Sequence, residues 1–326
     1  MSLIQISTID CSLTQWLEAF RLSIELSVIQ VMTDDELVRL ARVLKVPIAS
    51  RAVKRSWLVE ELTSAMQERK EKRTDKPKML PDPAIDIKGM SKSFGSTLAV
   101  DRLDLKVSPG EIVGLVGPNG AGKTTTLRVL TGIIKPSGGE VYVGSHDIQK
   151  APIPAKNLIG YIPEKPTCYP SLTVREYLMF MGRIYDVPNE ETLVRMSHYL
   201  DKFQLREYLD NYVGTLSKGN LQRALLVGIF VREPPFVLAL DEPIYGLDPR
   251  GAWSLKAHLN DLKKEKSAIL ISTHILEVAE SLCDRFVIMN DAKVVGRGTL
   301  KELLNESKRA TNLEEVFLEL TGGIPE

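Results

Sequence analysis

The chain has 326 residues, with 42 Lys and Arg against 42 Asp and Glu, so it buries a sizeable core but has no general attraction for nucleic acid or acidic partners. Cys11, Cys168 and Cys283 lie far apart without a CxxC spacing, which argues against a structural metal and predicts a reducing compartment. The longest uninterrupted apolar run, residues 224–231, is far shorter than a membrane span. We expect a cytoplasmic protein, so any work at a membrane requires another chain to cross it.

Residues 1–66 have the pattern of a small all-α domain of uncertain role. Ser12 begins an amphipathic helix, and Thr33 begins a second one with acidic residues in its first turn. Pro47 ends that helix and Ser56 begins a third, which is expected to turn three residues inward: Val59, Leu62 and Met66.

Residues 67–83 are rich in Lys, Arg and Glu and end in Pro-Asp-Pro, which is typical of a linker. From residue 84 to 326, strand-like runs alternate with helical ones, which predicts an α/β domain whose sheet is mostly parallel, with an antiparallel contribution at its start. A helical insertion is expected at about residues 165–233. The predicted strands are residues 84–87, 103–107, 112–116, 141–143, 158–162, 236–240, 268–272 and 286–289.

A glycine-rich loop, Gly-Pro-Asn-Gly-Ala-Gly-Lys-Thr-Thr, stands where a β-branched strand gives way to a helix. Its glycines allow successive backbone N–H groups to point at phosphate oxygens, and the helix N-terminus adds partial positive charge. Lys123 can reach the β- and γ-phosphates, and Thr124 can offer its hydroxyl to Mg²⁺. The loop therefore predicts a triphosphate site, rather than a turn without ligand, made by Gly117, Pro118, Asn119, Gly120, Ala121, Gly122, Lys123, Thr124 and Thr125.

The apolar strand at residues 236–240 runs directly into Asp241 and Glu242. Because alternation along a strand sends neighbouring side chains to different sides, Asp241 is expected to hold Mg²⁺ while Glu242 polarises an attacking water. Alone, such a pair is also a common surface feature. The glycine-rich loop favours the functional interpretation.

Residues 216–219, Leu-Ser-Lys-Gly, precede a helix of Ala, Leu and Val. Ser217 and Gly219 would offer a hydroxyl and N–H groups at a helix N-terminus, which is a second potential anion site. An ordinary Ser N-cap explains the same pattern, and one ATP does not obviously need two such sites from one chain.

The order and spacing of these motifs resemble the nucleotide-binding subunits of the ABC ATPase family over residues 85–320. The resemblance implies a P-loop NTPase of the ABC ATPase type with a helical subdomain, which binds ATP and Mg²⁺. The similar segments are the Walker A loop (residues 117–125), the signature motif (216–219), the Walker B motif (240–243), the D-loop (246–249), the switch histidine (His274) and the aromatic residue that stacks on adenine (Phe94).

In that family two chains pack head to tail, and each signature helix closes on ATP held by the other chain. The resemblance therefore implies that Ser217 and Gly219 act on the partner's ATP. It also implies that His274 contacts the γ-phosphate and that Asp248 couples the two sites. Glu242 would be the catalytic base, and loss of the γ-phosphate would open the dimer.

Four positions depart from the family pattern. Glu164 stands where most members carry a glutamine that links Mg²⁺ to the membrane partner, and the carboxylate keeps an oxygen ligand for the metal. This exchange resembles the exporter branch. Lys218 and Asn220 replace the commoner glycine and glutamine, and Tyr245 is bulky beside the D-loop. These three affect the expected rate and affinity but not the reaction type.

Two further segments narrow the branch. Residues 169–177 resemble the segment that receives a coupling helix from the membrane subunit, and residues 312–320 resemble the C-terminal helix of exporter subunits. The expected function is an ATP-hydrolysing subunit that drives export through a separate integral-membrane permease, at the cytoplasmic face of the membrane. Its partner ATPase is either a second copy or a paralogue.

The alternative is a soluble ABC ATPase that acts on nucleic acid or ribosomes. Residues 33–66 resemble a SAP-type DNA-binding module, although basic residues on a small helical domain more often form a solvated face of a docking or regulatory unit. Such soluble ATPases tend to have two cassettes or a long coiled coil, and neither pattern occurs here. A P-loop kinase has no use for a signature helix. The basic residues of this module are Arg39, Arg42, Lys45, Arg51, Lys54 and Arg55.

Overall fold

The computed structural model describes residues 3–5, 52–61, 80–165, 168–185, 187–232, 237–307 and 309–322. Contacts divide the chain into two compact units, Met1–Lys78 and Met79–Glu326. No helix in these described ranges combines the length and the apolarity needed to cross a membrane.

The described part of the first unit is not purely helical, which corrects the all-α prediction for residues 1–66. Strand β1 (Leu3–Gln5) pairs antiparallel with strand β2 (Ala52–Lys54). A helix follows at residues 55–61, and it buries Leu58 rather than the predicted Val59. The two earlier predicted helices, Leu62, Met66 and most of the predicted linker lie outside the described residues.

The second unit alternates strands and helices. Its strands are β3 (Ile85–Phe94), β4 (Thr97–Val107), β5 (Ile112–Val116), β6 (Gly138–Val143), β7 (His146–Asp147), β8 (Ile159–Ile162), β9 (Val237–Asp241), β10 (Ala268–Thr273), β11 (Arg285–Asn290) and β12 (Lys293–Gly298). Its α-helices are α1 (Lys123–Leu130), α2 (Pro152–Leu158), α3 (Val174–Ile184), α4 (Asn189–Lys202), α5 (Lys218–Val231), α6 (Pro249–Lys264), α7 (Leu276–Leu282), α8 (Leu300–Glu306) and α9 (Leu313–Thr321).

The strands form two sheets rather than the one that was predicted. The larger sheet has the order β12-β11-β5-β10-β9-β8, in which only the β11–β12 pair is antiparallel. The smaller sheet, β4-β3-β6-β7, is antiparallel throughout. The predicted antiparallel contribution therefore exists, but most of it belongs to a separate layer.

Alternation along the central strands divides the buried residues between two cores. In β10, Leu270 packs with the antiparallel sheet and α1, while Ile269 and Ile271 pack with the helical layer on the other face. In β9, Ala239 and Leu240 divide in the same way. This is the pattern expected of parallel strands that are covered on both faces.

The helical layer consists of α3, α4 and α5. A capping box at Thr173 and Glu176 starts α3, and every residue of α5 from Gln222 to Val231 is buried. The part of residues 174–232 that is described contains no strand. The predicted helix at residues 312–320 is α9, which Asn312 caps.

Candidate functional site

The parallel strands β5, β8, β9 and β10 are neighbours, so their carboxyl ends meet at one edge of the sheet. The glycine-rich loop follows β5, Glu164 follows β8, Glu242 follows β9 and His274 follows β10. Loops at this edge commonly form the ligand site of α/β proteins. Here they surround a cleft of about 380 Å³ lined by Ala99, Asn119, Gly120, Gly122, Lys123, Thr124, Thr125, Glu164, Glu242, Tyr245 and His274.

The glycine-rich loop is folded around the Lys123 ammonium. That side chain donates to the carbonyl oxygens of Gly117 at 2.7 Å and Pro118 at 3.0 Å, and the residue is only 6% exposed. Gly122 caps α1 with φ 106°, and a Cβ there would lie 2.4 Å from the Ala99 oxygen. Only glycine fits this close approach, so any other residue here would displace the loop.

The charge of Lys123 is balanced by acidic neighbours. Burial lowers the pKa of its ammonium, while the charges of Glu242, Asp241 and Glu164 act in the opposite direction. A cation surrounded by carboxylates at a helix N-terminus is a suitable partner for phosphate oxygens, particularly when the phosphates bring a divalent metal with them.

Asp241 has the geometry of a ligand for a hard cation. It is 1% exposed, it accepts a hydrogen bond from the Ser272 hydroxyl on one oxygen, and its Oδ2 is buried without a partner among the described residues. Burial raises its pKa, while the hydroxyls of Ser272 and Thr124 act in the opposite direction. A bound Mg²⁺ would compensate the buried negative charge of Asp241 and give its unpartnered oxygen a ligand role. Mg²⁺ is commonly held by one or two carboxylates together with substrate phosphates.

Glu242 is held by the strand beside it. Its Oε1 accepts the backbone N–H of His274 at 2.9 Å and the His274 Nδ1–H at 2.6 Å, and its Oε2 accepts the Thr273 hydroxyl at 2.9 Å. The residue has φ 50°, in the left-handed region that residues with a Cβ rarely adopt. A residue keeps such a strained backbone only where the surrounding bonds hold it in place. Positions of this kind are common in functional sites.

Several predicted site residues lie outside this cleft lining. Phe94 is 51% exposed, and the Lys92 ammonium lies 4.9 Å from its ring centroid. Ser217 is exposed and caps α5, while Asp248 caps α6 and pairs with Arg223. Gly219 packs against the Gly246 oxygen. The lining therefore brings together the Walker A loop, Glu164, Glu242 and His274, but not the signature motif.

Four residues near the cleft were not predicted as site residues. Ala99 and Tyr245 line it, and Ser272 and Thr273 hold the two acidic side chains. Ala99 carries no chemical signal in the sequence. The hydroxyls of Ser272 and Thr273, at the end of an apolar strand directly before His274, are a signal that could have identified them.

The comparisons with known proteins agree with this geometry. The ABC transporter family matches residues 100–245. The ABC-type transporter ATP-binding protein EcsA of Bacillus subtilis is 32% identical over 238 residues, which are 73% of this chain and 96% of that protein. The Nod factor export ATP-binding protein I of Burkholderia lata is 34% identical, with 73% and 78% covered.

Solved structures give the same result. One ATP-binding subunit of an ABC transporter has 33% identity and a TM-score of 0.69, with 73% of this chain and 99% of that chain covered. The protein cbiO1 from Clostridium perfringens, part of the ABC transporter complex cbiONQ, has 26% identity and a TM-score of 0.59, with 68% and 91% covered.

The family assignment confirms the predicted fold, a P-loop NTPase of the ABC type with a helical subdomain. It also confirms, at the level of the family, the predictions of ATP, Mg²⁺ and ATPase activity. The chain therefore belongs to the ABC transporter family as an ATP-binding cassette.

Proposed function

We propose that this chain is the ATP-hydrolysing subunit of an exporter and that it works as a head-to-tail dimer beneath a separate membrane permease. The observation that carries the proposal is the division of the motifs. The cleft holds Lys123, Glu242 and His274 together, while Ser217 stands exposed outside it.

In this proposal the cleft binds the triphosphate before any chemistry begins. Lys123 would exchange its two carbonyl partners for β- and γ-phosphate oxygens, and the N-terminus of α1 would direct its N–H groups at the same charges. Thr124 and Asp241 would hold Mg²⁺, with Glu164 on the same side. The metal would supply charge neutralisation on the phosphates. Phe94, on an exposed strand end, would stack on the adenine.

Glu242 is the proposed general base. Its carboxylate would orient a water molecule, whose oxygen forms a bond to the γ-phosphorus while the bond from that phosphorus to the ADP oxygen breaks. The water's proton would pass to Glu242 and then to solvent. The His274 and Thr273 hydrogen bonds fix this carboxylate, so the proton acceptor is already in place when nucleotide arrives.

The second half of the site would come from another chain. Ser217 and Gly219 lie at the N-terminus of α5, where Ser217 already caps the helix and its remaining hydrogen-bonding capacity faces solvent. A second copy or a paralogue would bring this end of α5 to the γ-phosphate and complete the site, and Asp248 would lie near the junction of the two chains. Release of phosphate would remove the shared contacts and open the dimer.

The name of one relative supports export, and a solved relative and an exposed aromatic surface support a separate membrane subunit. One relative with 34% identity is a Nod factor export protein, and cbiO1 belongs to a transporter complex. In addition, Tyr169 and Tyr212 are 58% and 56% exposed beside α3, and the Tyr169 ring meets Phe180 edge to face at 5.5 Å. An exposed aromatic surface of this kind suits a membrane subunit's coupling helix. The chain would then lie on the cytoplasmic face of the membrane.

The test is a pull-down of the Glu242→Gln chain, with ATP, from native membranes and from cytosol. We expect this variant to retain ATP, to form a stable dimer and to co-purify with one polytopic membrane protein in stoichiometric amount. The control is the Lys123→Ala chain, which should not retain ATP, should not form the stable dimer and should not co-purify with the membrane protein. Recovery of nucleic acid or ribosomal proteins, lost when residues 1–80 are deleted, would refute the exporter and favour the soluble alternative. Normal turnover by Glu242→Gln would refute the assignment of the base.

A further inference from the structure

Tyr245 contacts two parts of the molecule that the reaction must coordinate. It lines the nucleotide cleft, where its ring centroid lies 6.2 Å from that of His274. The Lys218 ammonium lies 4.1 Å from the centroid of the same ring. Lys218 is the first residue of α5, between Ser217 and Gly219. A single half-exposed side chain therefore connects the cleft of this chain with the helix end that is proposed to serve its partner.

The segment around Tyr245, residues 243–248, contacts residues 219–223 of α5 at several points. The Gln222 amide donates to the Pro243 oxygen at 3.1 Å in a buried position, and the Arg223 guanidinium pairs with Asp248. Gly219 lies so close to Gly246 that a Cβ on it would come within 2.7 Å of the Gly246 oxygen. Because these contacts limit independent movement, a shift of residues 243–248 would carry the start of α5 with it.

The contact between Lys218 and Tyr245 differs from the other contacts because one of its members faces the cleft. The partners of Gln222 and Arg223 are Pro243 and Asp248, and neither of these residues is in the cleft lining. Among the described residues, no carboxylate pairs with the Lys218 ammonium. A cation above a tyrosine ring is held by the ring quadrupole, and such a contact is modest when solvent reaches it. Among the described contacts between residues 243–248 and α5, this weak contact is therefore the one that nucleotide in the cleft would reach directly.

We propose that Tyr245 is a positioning residue that transmits nucleotide occupancy of its own cleft, through the Lys218 ammonium, to the signature motif of the same chain. This inference rests on the proposed function, because the signature motif acts on the partner's ATP. Nucleotide in one cleft then sets the position of Ser217 and Gly219 over the other cleft. The departures from the family pattern at positions 218 and 245 thus form one functional pair.

The experiment is a double-mutant cycle on ATP-dependent dimerisation in the full-length Glu242→Gln chain. Lys218→Met keeps the length of the side chain without its charge, and Tyr245→Leu removes the ring. Dimer is measured by light scattering over a range of Mg-ATP concentrations. Each variant should raise the midpoint ATP concentration about two- to five-fold, the range expected for an exposed cation–π contact, and the double variant should raise it no further.

Two conservative variants separate positioning from simple structural damage. Lys218→Arg and Tyr245→Phe keep a cation and a ring, so both should restore the midpoint to within two-fold of the parent. Binding of fluorescent ATP to the monomeric Lys218→Met chain should change by no more than about two-fold, since Lys218 does not line the cleft. A loss of ATP affinity in that monomer as large as the shift in the dimerisation midpoint would overturn the inference, because nucleotide binding alone would then explain the shift.

The outcomes distinguish this inference from the proposed function. A Glu242→Gln parent that never dimerises with ATP refutes the head-to-tail dimer and, with it, this inference. A parent that dimerises while the single variants behave like it refutes the inference alone. Additive effects in the double variant also refute it, because residues that act through one contact cannot be lost twice.

Discussion

Two helices of this cassette begin at potential anion-binding loops, and the two helix starts are built differently. At α1, Lys123 is buried, bonded to two carbonyl groups and surrounded by acidic side chains. At α5, Ser217 and Lys218 are exposed, and the cap is a single 3.3 Å bond from the Asn220 N–H to the Ser217 hydroxyl. The residues at the start of α1 already enclose a phosphate site within one chain, whereas those at the start of α5 are exposed and would act on nucleotide held by a second chain.

The two helix starts differ in how strongly water and salt screen their charges. Charges in the cleft are partly shielded from solvent and are therefore weakly screened, whereas charges at the exposed start of α5 are strongly screened. Substitutions at α1 should therefore change what one chain binds. Substitutions at α5 should change only what two chains do together.

The largest effect is expected for Lys123→Ala. Loss of the buried ammonium removes two charge-assisted hydrogen bonds to phosphate, so the affinity of a single chain for Mg-ATP should fall about a thousand-fold. Fluorescence titration with a labelled ATP measures this change. Lys264→Ala, at an exposed position near the end of α6, is the matched control and should bind normally. Wild-type affinity in Lys123→Ala would mean that α1 is not the nucleotide half of the site.

The α5 side of the comparison is tested by Ser217→Glu. A carboxylate there would face the partner's triphosphate, and like charges placed together across an interface cost several kcal/mol. ATP-dependent dimerisation and turnover should fall at least about a hundred-fold, while ATP affinity of the single chain stays within two-fold of wild type. Glu207→Arg, at an exposed position in the short 3₁₀-helix Arg206–Tyr208, is the control. If single-chain affinity falls as well, the two helix starts are not separate in function.

The sequence predicted the site at the start of α1 more fully than the contacts at the start of α5, because the α1 site is formed by residues that are adjacent along the chain. Residues 117–125 form their site from local backbone, so a continuous motif specifies it. The contact between Lys218 and Tyr245 joins positions that are distant along the chain, and no local pattern predicts it. The positive φ of Glu242 could not be predicted from the local sequence either, because it depends on hydrogen bonds from residues of β10.

Strand prediction failed where burial was weak. β12 is an edge strand with a single fully buried residue, and β7 has only two residues, so neither has the apolar pattern that marks β9 or β10. The division of the strands of the second unit into two sheets was also not predicted. Alternation specifies which face of a strand is buried but not which strand lies beside it.

A smaller effect is expected for His274→Ala. The variant keeps the backbone N–H and the Thr273 hydroxyl on Glu242 but loses the Nδ1–H bond. We expect kcat to fall about thirty-fold, equivalent to about 2 kcal/mol for a hydrogen bond to a charged group. ATP affinity should fall by much less than in Lys123→Ala, because His274 lines the cleft while Lys123 and the start of α1 are unchanged. Steady-state phosphate release measures kcat, with His146→Ala as control, and an unchanged kcat would exclude His274 from the reaction.

The smallest effect concerns the packing beneath α5. His258 of α6 is buried, its ring centroid lies 4.3 Å from that of Phe230 in α5, and its Nδ1 accepts the Lys202 ammonium at 2.9 Å. Because an ammonium only donates, the neutral ring carries its proton on Nε2. Burial, together with the Lys202 charge, lowers the pKa of His258 to about 3.

A histidine whose pKa is lower in the folded state than in the unfolded state stabilises the fold only while it is neutral. Unfolded chains bind a proton below about pH 6.5, so stability should be complete at pH 7.5 and fall by about 1.4 kcal/mol at pH 5.5 through this group alone. Urea denaturation at both pH values should show a smaller acid loss in His258→Phe than in wild type. The exposed His198→Gln variant should keep most of the loss, because His258 is intact and the His198 charge is the smallest of the causes that lower its pKa. An acid loss in His258→Phe as large as that of wild type would show that His258 is not the source of the pH dependence.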